Sequence, residues 1–214
     1  QHRIYKAAKV NNINSVKRLQ NLLLGSKCSK YLAVRQVTQL NAGKRSAGVD
    51  GKLALGPDER SHLVAELDSM KSWNHRKLRR VFIPKPNGKM RPLGIPTIND
   101  RAMQCLVKYA LEPVYESYTS DGSYGFRPGH STWDVQNRLF QNLKSNSNGH
   151  EKTILELDIK GCFDNINHEK LLSLTTLPGT AMRFLRSALK AGVLKERETT
   201  FVGTPQGGVI SPLL

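Results

Sequence analysis

Apolar side chains recur at helical spacing over most of this chain. In residues 1–24 they stand three to four positions apart, at Ile13, Val16, Leu19 and Leu23, with cations and amides between them. The first helix is expected to end at the Gly-Ser pair of residues 25–26. The same spacing predicts further helices over about 28–40, 57–70, 99–118, 131–144, 168–175 and 179–190.

Two other stretches carry the pattern of β-strands. Residues 79–97 contain two short apolar runs around a Pro-Asn-Gly turn, which predicts a hairpin, and their prolines restrict it to the edge of a sheet or a projecting ribbon. Residues 153–158 form a β-type apolar run that ends in Asp158, and a strand-like stretch leads through Phe201. The chain is therefore predicted to be α+β, with residues 153–158 as a buried strand.

Charge is distributed in blocks of one sign. The net charge is +16, and residues 1–52 carry 11 basic side chains against one acid, Asp50. Residues 71–91 carry eight basic side chains and no acid. A solvated surface normally mixes both signs, whereas a one-signed block attracts polyanions. No apolar run approaches the roughly 20 residues needed to span a bilayer, so the pattern favours nucleic acid over membrane.

The residues after the predicted buried strand are suited to metal and phosphate. A carboxylate at the end of a strand, followed by a glycine turn, is a good ligand for Mg²⁺, which makes Asp158 a candidate. The backbone N–H groups of Gly161 and Cys162 are expected to be available to a phosphate. The alternative is that Asp158 only caps the turn. For Asp164 the structural role is the favoured interpretation.

Lys85 and Arg91 stand on opposite arms of the predicted hairpin. One point charge and one planar guanidinium there could contact a triphosphate, although an edge strand protected by solvated cations has the same pattern. Gln206 stands in a Pro-Gln-Gly-Gly string, where small residues permit close approach, but the string alone is a weak signal.

The glycine-rich loop of residues 121–130 carries two aromatic side chains and a cation that suit a nucleic-acid strand. Tyr124, Phe126 and Arg127 could stack on or clamp such a strand, or could pack within their own loop. The sequence leaves both interpretations open.

Five segments in order resemble the blocks of group II intron reverse transcriptases, also called maturases: residues 49–51, 83–96, 123–129, 158–166 and 203–214. The resemblance implies a right-hand polymerase. Residues 1–52 would be a basic helical N-terminal extension that binds RNA, residues 53–150 the fingers, and residues 151–214 the first part of an RRM-like palm. The chain would then be truncated before the Tyr-x-Asp-Asp block that supplies the other metal-binding carboxylates.

The resemblance also implies roles for single residues. Asp158 and the carbonyl of Ile159 would bind the catalytic Mg²⁺, and Phe163 would be the gate that excludes a 2′-hydroxyl. The other nucleotide contacts would be Lys85, Arg91, Gly161, Cys162 and Gln206. The RNA contacts are expected from the basic blocks and the glycine-rich loop themselves: Lys17, Arg18, Lys44, Arg45, Arg79, Arg80 and Arg127.

The expected function is RNA-templated DNA synthesis in intron mobility, together with assistance to splicing. The implied partners are group II intron RNA, an RNA template with a DNA primer, dNTP and target DNA. The expected location is the bacterial cytoplasm or an organelle, where the three cysteines would be reduced. With one of three metal carboxylates, this stretch alone is expected to bind RNA without polymerising DNA.

Two alternatives remain. One is a non-catalytic RNA-binding splicing cofactor that retains the polymerase scaffold. The other is a retron-type or other bacterial reverse transcriptase. The long basic extension before Asp50 favours the intron type.

Overall fold

The structure is a computed structural model that describes residues 1–53, 55–86, 88–144, 152–192, 203–204 and 207–213. The helices of this part of the chain are α1 (His2–Lys9), α2 (Ile13–Gly25), α3 (Lys27–Arg35), α4 (Pro57–Glu66), α5 (Ile98–Glu116), α6 (Thr132–Leu143), α7 (Cys162–Asn165), α8 (His168–Leu174) and α9 (Gly179–Lys190). The strands are β1 (Arg79–Pro84) and β2 (Met90–Ile95).

Helix α5 is the centre of the fold. Its apolar residues face several directions, so α1, α2 and α3 can all pack against it. The main core joins α5 to α4 and α9, and Met103, Leu106, Phe184 and Leu185 are among its most deeply buried members. A smaller cluster under α1 and α2 adjoins it through Val114. Helix α5 is therefore the central element, against which the other helices pack.

The predicted single helix over residues 1–24 is wrong, because the structure has two helices there. Asn11 adopts a left-handed backbone conformation at φ 52°, and the Asn12 side chain accepts a hydrogen bond from the Ser15 N–H at 3.0 Å. Asparagine tolerates both positions better than most residues, so the chain ends α1 and caps α2. This break turns the two helices so that each buries its own apolar stripe.

The helix predicted over residues 28–40 is confirmed in α3 but changes form at its end. Residues Gln36–Leu40 make a wider π-helical turn. The Thr38 hydroxyl donates to the Val34 carbonyl at 2.8 Å, a side-chain bond that commonly accompanies bent helices.

The predicted hairpin is confirmed. β1 and β2 pair antiparallel in a register from Arg79 opposite Ile95 to Pro84 opposite Met90, and they form a two-stranded sheet. The remaining helix predictions are also confirmed, with α4 continuing into a 3₁₀ segment, Leu67–Ser72. A capping pair opens α6, where the Ser131 N–H donates to Asp134 Oδ2 at 2.6 Å.

The buried strand predicted over residues 153–158 is wrong. Its described residues lie outside any sheet and are exposed, Leu157 to 81%. A buried strand needs neighbours that satisfy its backbone groups, and the described part of the chain has no strands besides β1 and β2. The strand predicted through Phe201 lies outside the described residues. Among the helices described, none is long and apolar enough to cross a membrane.

Candidate nucleotide and RNA site

The hairpin register brings Lys85 and Arg91 to one face. Arg91 is directly opposite Ile83, and side chains two apart on a strand share a face, so Lys85 lies on the same side. The Lys85 N–H donates to the Lys89 carbonyl at 2.8 Å, which continues the pairing beyond the strand ends. Both side chains are exposed. The geometry therefore permits both cations to contact one anionic ligand.

The segment on either side of residue 206 is docked between two other candidate elements. On one flank, the Gly203 N–H donates to the Ile166 carbonyl at 2.8 Å and the Thr204 N–H to the Phe163 carbonyl at 2.7 Å. On the other, Gly207 lies at φ +115°, where an added Cβ would meet the Gly94 carbonyl oxygen at 2.9 Å. Gln206 itself lies outside the described residues. Its flanks nonetheless join the segment of the predicted sugar gate to the strand that carries Arg91.

The turn after Asp158 has the expected glycine conformation. Gly161 is left-handed at φ 63° and precedes the short helix α7, while Asp158 and Ile159 are exposed. The expectation that the Cys162 N–H is available to phosphate is wrong, because this group donates to the Ile159 carbonyl at 3.3 Å. That bond closes the turn, and it engages the carbonyl that was expected to face a metal.

Asp158 could supply one oxygen ligand to a divalent cation. No group of three histidine, cysteine or acidic side chains close enough to hold a metal occurs among the described residues. The described residues therefore fit one ligand of such a site and not a complete site.

The predicted RNA contacts on α2 and in the basic loop are exposed, with the exception of Lys44. Lys17 and Arg18 project from α2, and Arg45 is exposed in the 3₁₀ segment Ala42–Arg45. Lys44 is partly buried and donates to the Gln39 carbonyl at 2.6 Å. Arg79 is exposed at the start of β1, and Arg80 beside it is half-buried.

Arg127 is engaged within its own loop. Its guanidinium makes a two-point contact with Glu116, at 2.5 and 3.2 Å, and donates to the Ser120 and Ser123 carbonyls at 2.8 and 2.5 Å. The hydrogen bond with Arg127 lowers the pKa of Glu116 and raises the pKa of Arg127. These contacts close the loop of residues 116–127, and Arg127 has few donors left for a phosphate.

The aromatic side chains of that loop differ in their surroundings. The Tyr124 ring packs edge-on against His130, with ring centroids 5.3 Å apart. Phe126, at φ 57°, is 77% exposed. Of the two alternatives that the sequence left open, packing within the loop therefore describes Tyr124, whereas stacking of the exposed Phe126 on a nucleic-acid base stays a prediction.

Sequence reasoning missed a polar network at the start of α5. The Asp100 carboxylate accepts hydrogen bonds from the Trp73 indole at 2.9 Å, the Thr97 hydroxyl at 2.6 Å and the Arg76 N–H at 3.3 Å. Gln104 hydrogen-bonds His75 and the Val209 N–H, both at 2.8 Å. The available signal was the run of polar residues in the first turns of an otherwise apolar helix.

Arg101 belongs to the same run of polar residues on α5 and was also not predicted from the sequence. It holds the basic loop of residues 41–51. It is buried and donates to the Gly43 and Ser46 carbonyls, both at 2.6 Å. Burial lowers the pKa of Arg101, and the nearby Asp50 carboxylate partly offsets that effect. Asp50 also lies 3.9 Å from the Arg76 guanidinium. Asp50, the single acid of residues 1–52, therefore lies near both Arg101 and Arg76.

An open cavity of about 610 Å³ lies between α5, the loop that carries Phe126 and the Gly207–Val209 turn. Arg101, Lys108 and Glu112 of α5 line one side of it, and Phe126 and Pro128 line another. Apolar, aromatic and charged groups thus meet beside the turn that follows Gln206.

A hairpin with two exposed cations on one face, a glycine turn beside an aspartate and a basic helical extension together indicate a nucleic-acid polymerase. Comparison with known proteins agrees. Residues 83–214 match the family described as reverse transcriptase (RNA-dependent DNA polymerase), and residues 1–67 match the N-terminal domain of reverse transcriptase. The chain belongs to the reverse transcriptase family.

Its relatives include proteins encoded by group II introns, as the sequence resemblance predicted. The group II intron-encoded protein LtrA of Lactococcus lactis subsp. cremoris is 36% identical over 192 residues, covering 86% of this chain and 31% of that protein. Maturase-like protein 1 of Euglena gracilis is 35% identical over 181 residues, 83% of this chain and 39% of that protein. Protein YkfC of Escherichia coli is 35% identical over 211 residues, 92% of this chain and 54% of that protein. The chain thus spans between about a third and a half of the length of these relatives.

Proposed function

We propose that this chain provides the fingers and the beginning of the palm of an RNA-directed DNA polymerase of a mobile group II intron, which also binds its intron RNA and assists splicing. The observation that carries the proposal is the docking of the segment around Gln206. On one side, Gly203 and Thr204 hydrogen-bond the carbonyls of Ile166 and Phe163. On the other side, Gly207 runs so close to β2 that an added Cβ would meet the Gly94 carbonyl oxygen at 2.9 Å. A triphosphate hairpin, a sugar gate and a nucleotide-lining turn need this proximity to act on one dNTP.

In this proposal, the hairpin binds the triphosphate. Lys85 contributes a compact charge and Arg91 a planar fork of donors, and both project from the same face near the turn. Because both side chains are exposed, they do not carry the free-energy cost of desolvation that a buried cation has. Gly207 lets the backbone after Gln206 approach β2 directly, which would bring that glutamine toward the bound nucleotide.

Asp158 would be one ligand of the catalytic Mg²⁺, and the remaining carboxylates would come from a Tyr-x-Asp-Asp block. Bound there, the metal would supply charge stabilisation for phosphoryl transfer. No group of three histidine, cysteine or acidic side chains that could hold a metal occurs among the described residues. The 214 residues alone are therefore expected to bind RNA and not to extend a primer.

Phe163 would discriminate between sugars. It is half-buried in α7, and its carbonyl accepts the hydrogen bond from the Thr204 N–H at 2.7 Å. A rigid aromatic ring held in this way could exclude a 2′-hydroxyl, the group that distinguishes the two sugars.

RNA would bind along the basic N-terminal extension. Lys17 and Arg18 on α2 and Arg45 on the following loop are exposed, and the rest of residues 1–52 carries a single acid. Such a surface neutralises several phosphates without reading base sequence. Intron RNA, an RNA template with its DNA primer, and target DNA all present phosphates of this kind.

A non-catalytic splicing cofactor is the second candidate, and the exposed, one-signed N-terminal extension is the observation that supports it. The two candidates differ in one activity. The gene product that contains this sequence should be incubated with dTTP, Mg²⁺ and an oligo(dT) primer on poly(rA), and, separately, with precursor RNA of its own intron. Primer extension together with faster splicing supports the polymerase. Faster splicing without extension supports the cofactor, and extension without any effect on splicing would support a reverse transcriptase of another type, such as the retron type.

A further inference from the structure

A series of hydrogen bonds connects the segment just before β1, at His75 and Arg76, to the turn of residues 207–209. His75 Nδ1 lies 2.7 Å from the Arg76 carbonyl oxygen, and His75 Nε2 lies 2.8 Å from Gln104 Nε2. Gln104 Oε1 accepts a hydrogen bond from the Val209 N–H at 2.8 Å. Gln104 is only 4% exposed.

The chemistry of the groups determines the direction of this chain. A carbonyl oxygen can only accept, so His75 carries its proton on Nδ1 and donates it to Arg76. His75 Nε2 must then accept, and the Gln104 amide donates to it. That leaves Oε1 of Gln104 facing the Val209 N–H. Burial lowers the pKa of His75, which favours this neutral form of the ring.

The two glycines before Val209 pack against the same elements. A Cβ at position 208 would lie 3.2 Å from Gln104 Oε1 and 2.7 Å from the Ser211 hydroxyl. A Cβ at position 207 would lie 2.9 Å from the Gly94 carbonyl of β2. The turn is therefore enclosed between α5 and the strand that carries Arg91, with Gln206 immediately before it.

We propose that Gln104 is a positioning residue of the nucleotide pocket. His75 orients Gln104, and Gln104 holds the turn of residues 207–209 against β2, the strand that carries Arg91. The inference rests on the proposed polymerase function. Without Gln104 Oε1, the partly buried Val209 N–H loses its partner, and the turn gains freedom to move relative to β2. The chemistry at the metal does not involve Gln104, so nucleotide binding should suffer more than the maximal rate.

The test compares two buried glutamines of the same chain. Gln20 is fully buried on α2, and its amide donates to the Ala110 and Thr176 carbonyls at 3.0 and 2.9 Å, away from the turn. Gln104→Met and Gln20→Met make the same change of shape and each remove two hydrogen bonds. Both variants of the gene product that contains this sequence are assayed for dTTP incorporation on poly(rA) with an oligo(dT) primer, below the melting temperature of each.

We expect Gln104→Met to raise the KM for dTTP by about fivefold to tenfold, with a smaller change in kcat, the size of effect typical of one lost buried hydrogen bond. Gln20→Met should lower the melting temperature and leave the KM unchanged. Gln104→Glu keeps an oxygen for the Val209 N–H, so its KM should lie closer to that of the unsubstituted protein. Gln104→Leu, which also lacks that oxygen, serves as the second variant if Gln104→Met does not fold.

Three results would overturn the inference. An unchanged KM in Gln104→Met, or in Gln104→Leu where that variant is used instead, would show that the contact does not position the turn. An equal rise in both methionine variants would show that general loosening of the core is responsible. An absence of synthesis by the unsubstituted protein would overturn the proposed function itself, and this inference with it, before any variant is compared.

Discussion

Replacing Arg101 by methionine should release the basic loop of residues 41–51 from the body of the protein. The Arg101 guanidinium donates to the Gly43 and Ser46 carbonyls at 2.6 Å and reaches the Thr97 carbonyl at 3.4 Å. Methionine fills most of the same space with an apolar chain and offers no donor. The loop carries Lys44 and Arg45, so its detachment should be visible both in stability and in RNA binding.

The magnitude follows from the two short hydrogen bonds, because the third is too long to count for much. A hydrogen bond to a charged donor contributes about 1.5–3 kcal/mol, and these two belong at the lower end because Gly43 is exposed and Ser46 is half-buried. Removing a buried cation returns part of its desolvation cost, the same effect that lowers the pKa of Arg101. The expected net loss is therefore about 2–3 kcal/mol, or a fall in melting temperature of roughly 4–12 °C for a chain of this size.

Arg186 provides the control for this change. It makes one ion pair with Glu169 at 2.8 Å on the surface of α8 and α9, with both side chains largely exposed. Exposed pairs contribute about 0–1 kcal/mol, so Arg186→Met should melt almost normally. The assays are thermal unfolding and the rate of trypsin cleavage after Lys44 and Arg45, both of which should change only in Arg101→Met. Equal melting temperatures and equal cleavage rates in the two variants would refute this account of the loop.

Three further predictions concern RNA, the sugar and pH. The first replaces four cations of residues 1–52 by glutamate: Lys17, Arg18, Lys44 and Arg45. The log–log slope of intron RNA binding against salt concentration should fall by roughly one unit per lost phosphate contact. An unchanged slope in a filter-binding titration would rule that surface out. Phe163→Ala should lower the ratio of dNTP to rNTP efficiency in single-nucleotide incorporation by the gene product, and a constant ratio would make Phe163 a core aromatic only. Burial lowers the pKa of His75 below its ordinary 6.5, so the unfolded chain takes up a proton there before the folded one does. The stability associated with neutral His75 is complete above about pH 6.5 and is lost as the pH falls toward the folded pKa, by at most about 1.4 kcal/mol per pH unit. Denaturant titrations at several pH values should give a shallower pH dependence for His75→Gln, and parallel curves would contradict this.

The elements that local sequence determines were predictable. The Pro-Asn-Gly turn between two apolar runs was enough to place β1 and β2, and the register then put Lys85 and Arg91 on one face. The stripes of α4, α8 and α9 were equally readable, because a helix on the rim of a core shows its buried side in its own spacing.

What depends on distant partners was not predictable. Residues 153–158 have the composition of a strand, but a strand forms only with a neighbour, and among the described residues it has none. As polar residues, Arg101 and Gln104 would be predicted to lie on the solvent side of α5. In the structure, the basic loop packs on Arg101 and the turn at Val209 packs on Gln104. The break at Asn11 depends on the left-handed backbone conformation of that one residue, which the spacing of apolar residues does not reveal.

The central claim is that Asp158 serves polymerisation and not RNA binding, and the substitution Asp158→Ala tests it most directly. Asp164, six positions further on in the same exposed segment, is the matched carboxylate, and Asp164→Ala is the control. In the gene product that contains this sequence, extension of a primer on an RNA template should fall about a thousandfold or more in Asp158→Ala, as expected when a metal ligand is lost. Asp164→Ala should extend normally, and protein-dependent intron splicing should persist in both variants, because neither substitution reduces the attraction of the basic surface for phosphate. Primer extension by Asp158→Ala at the unsubstituted rate would remove Asp158 from the active site and contradict the account.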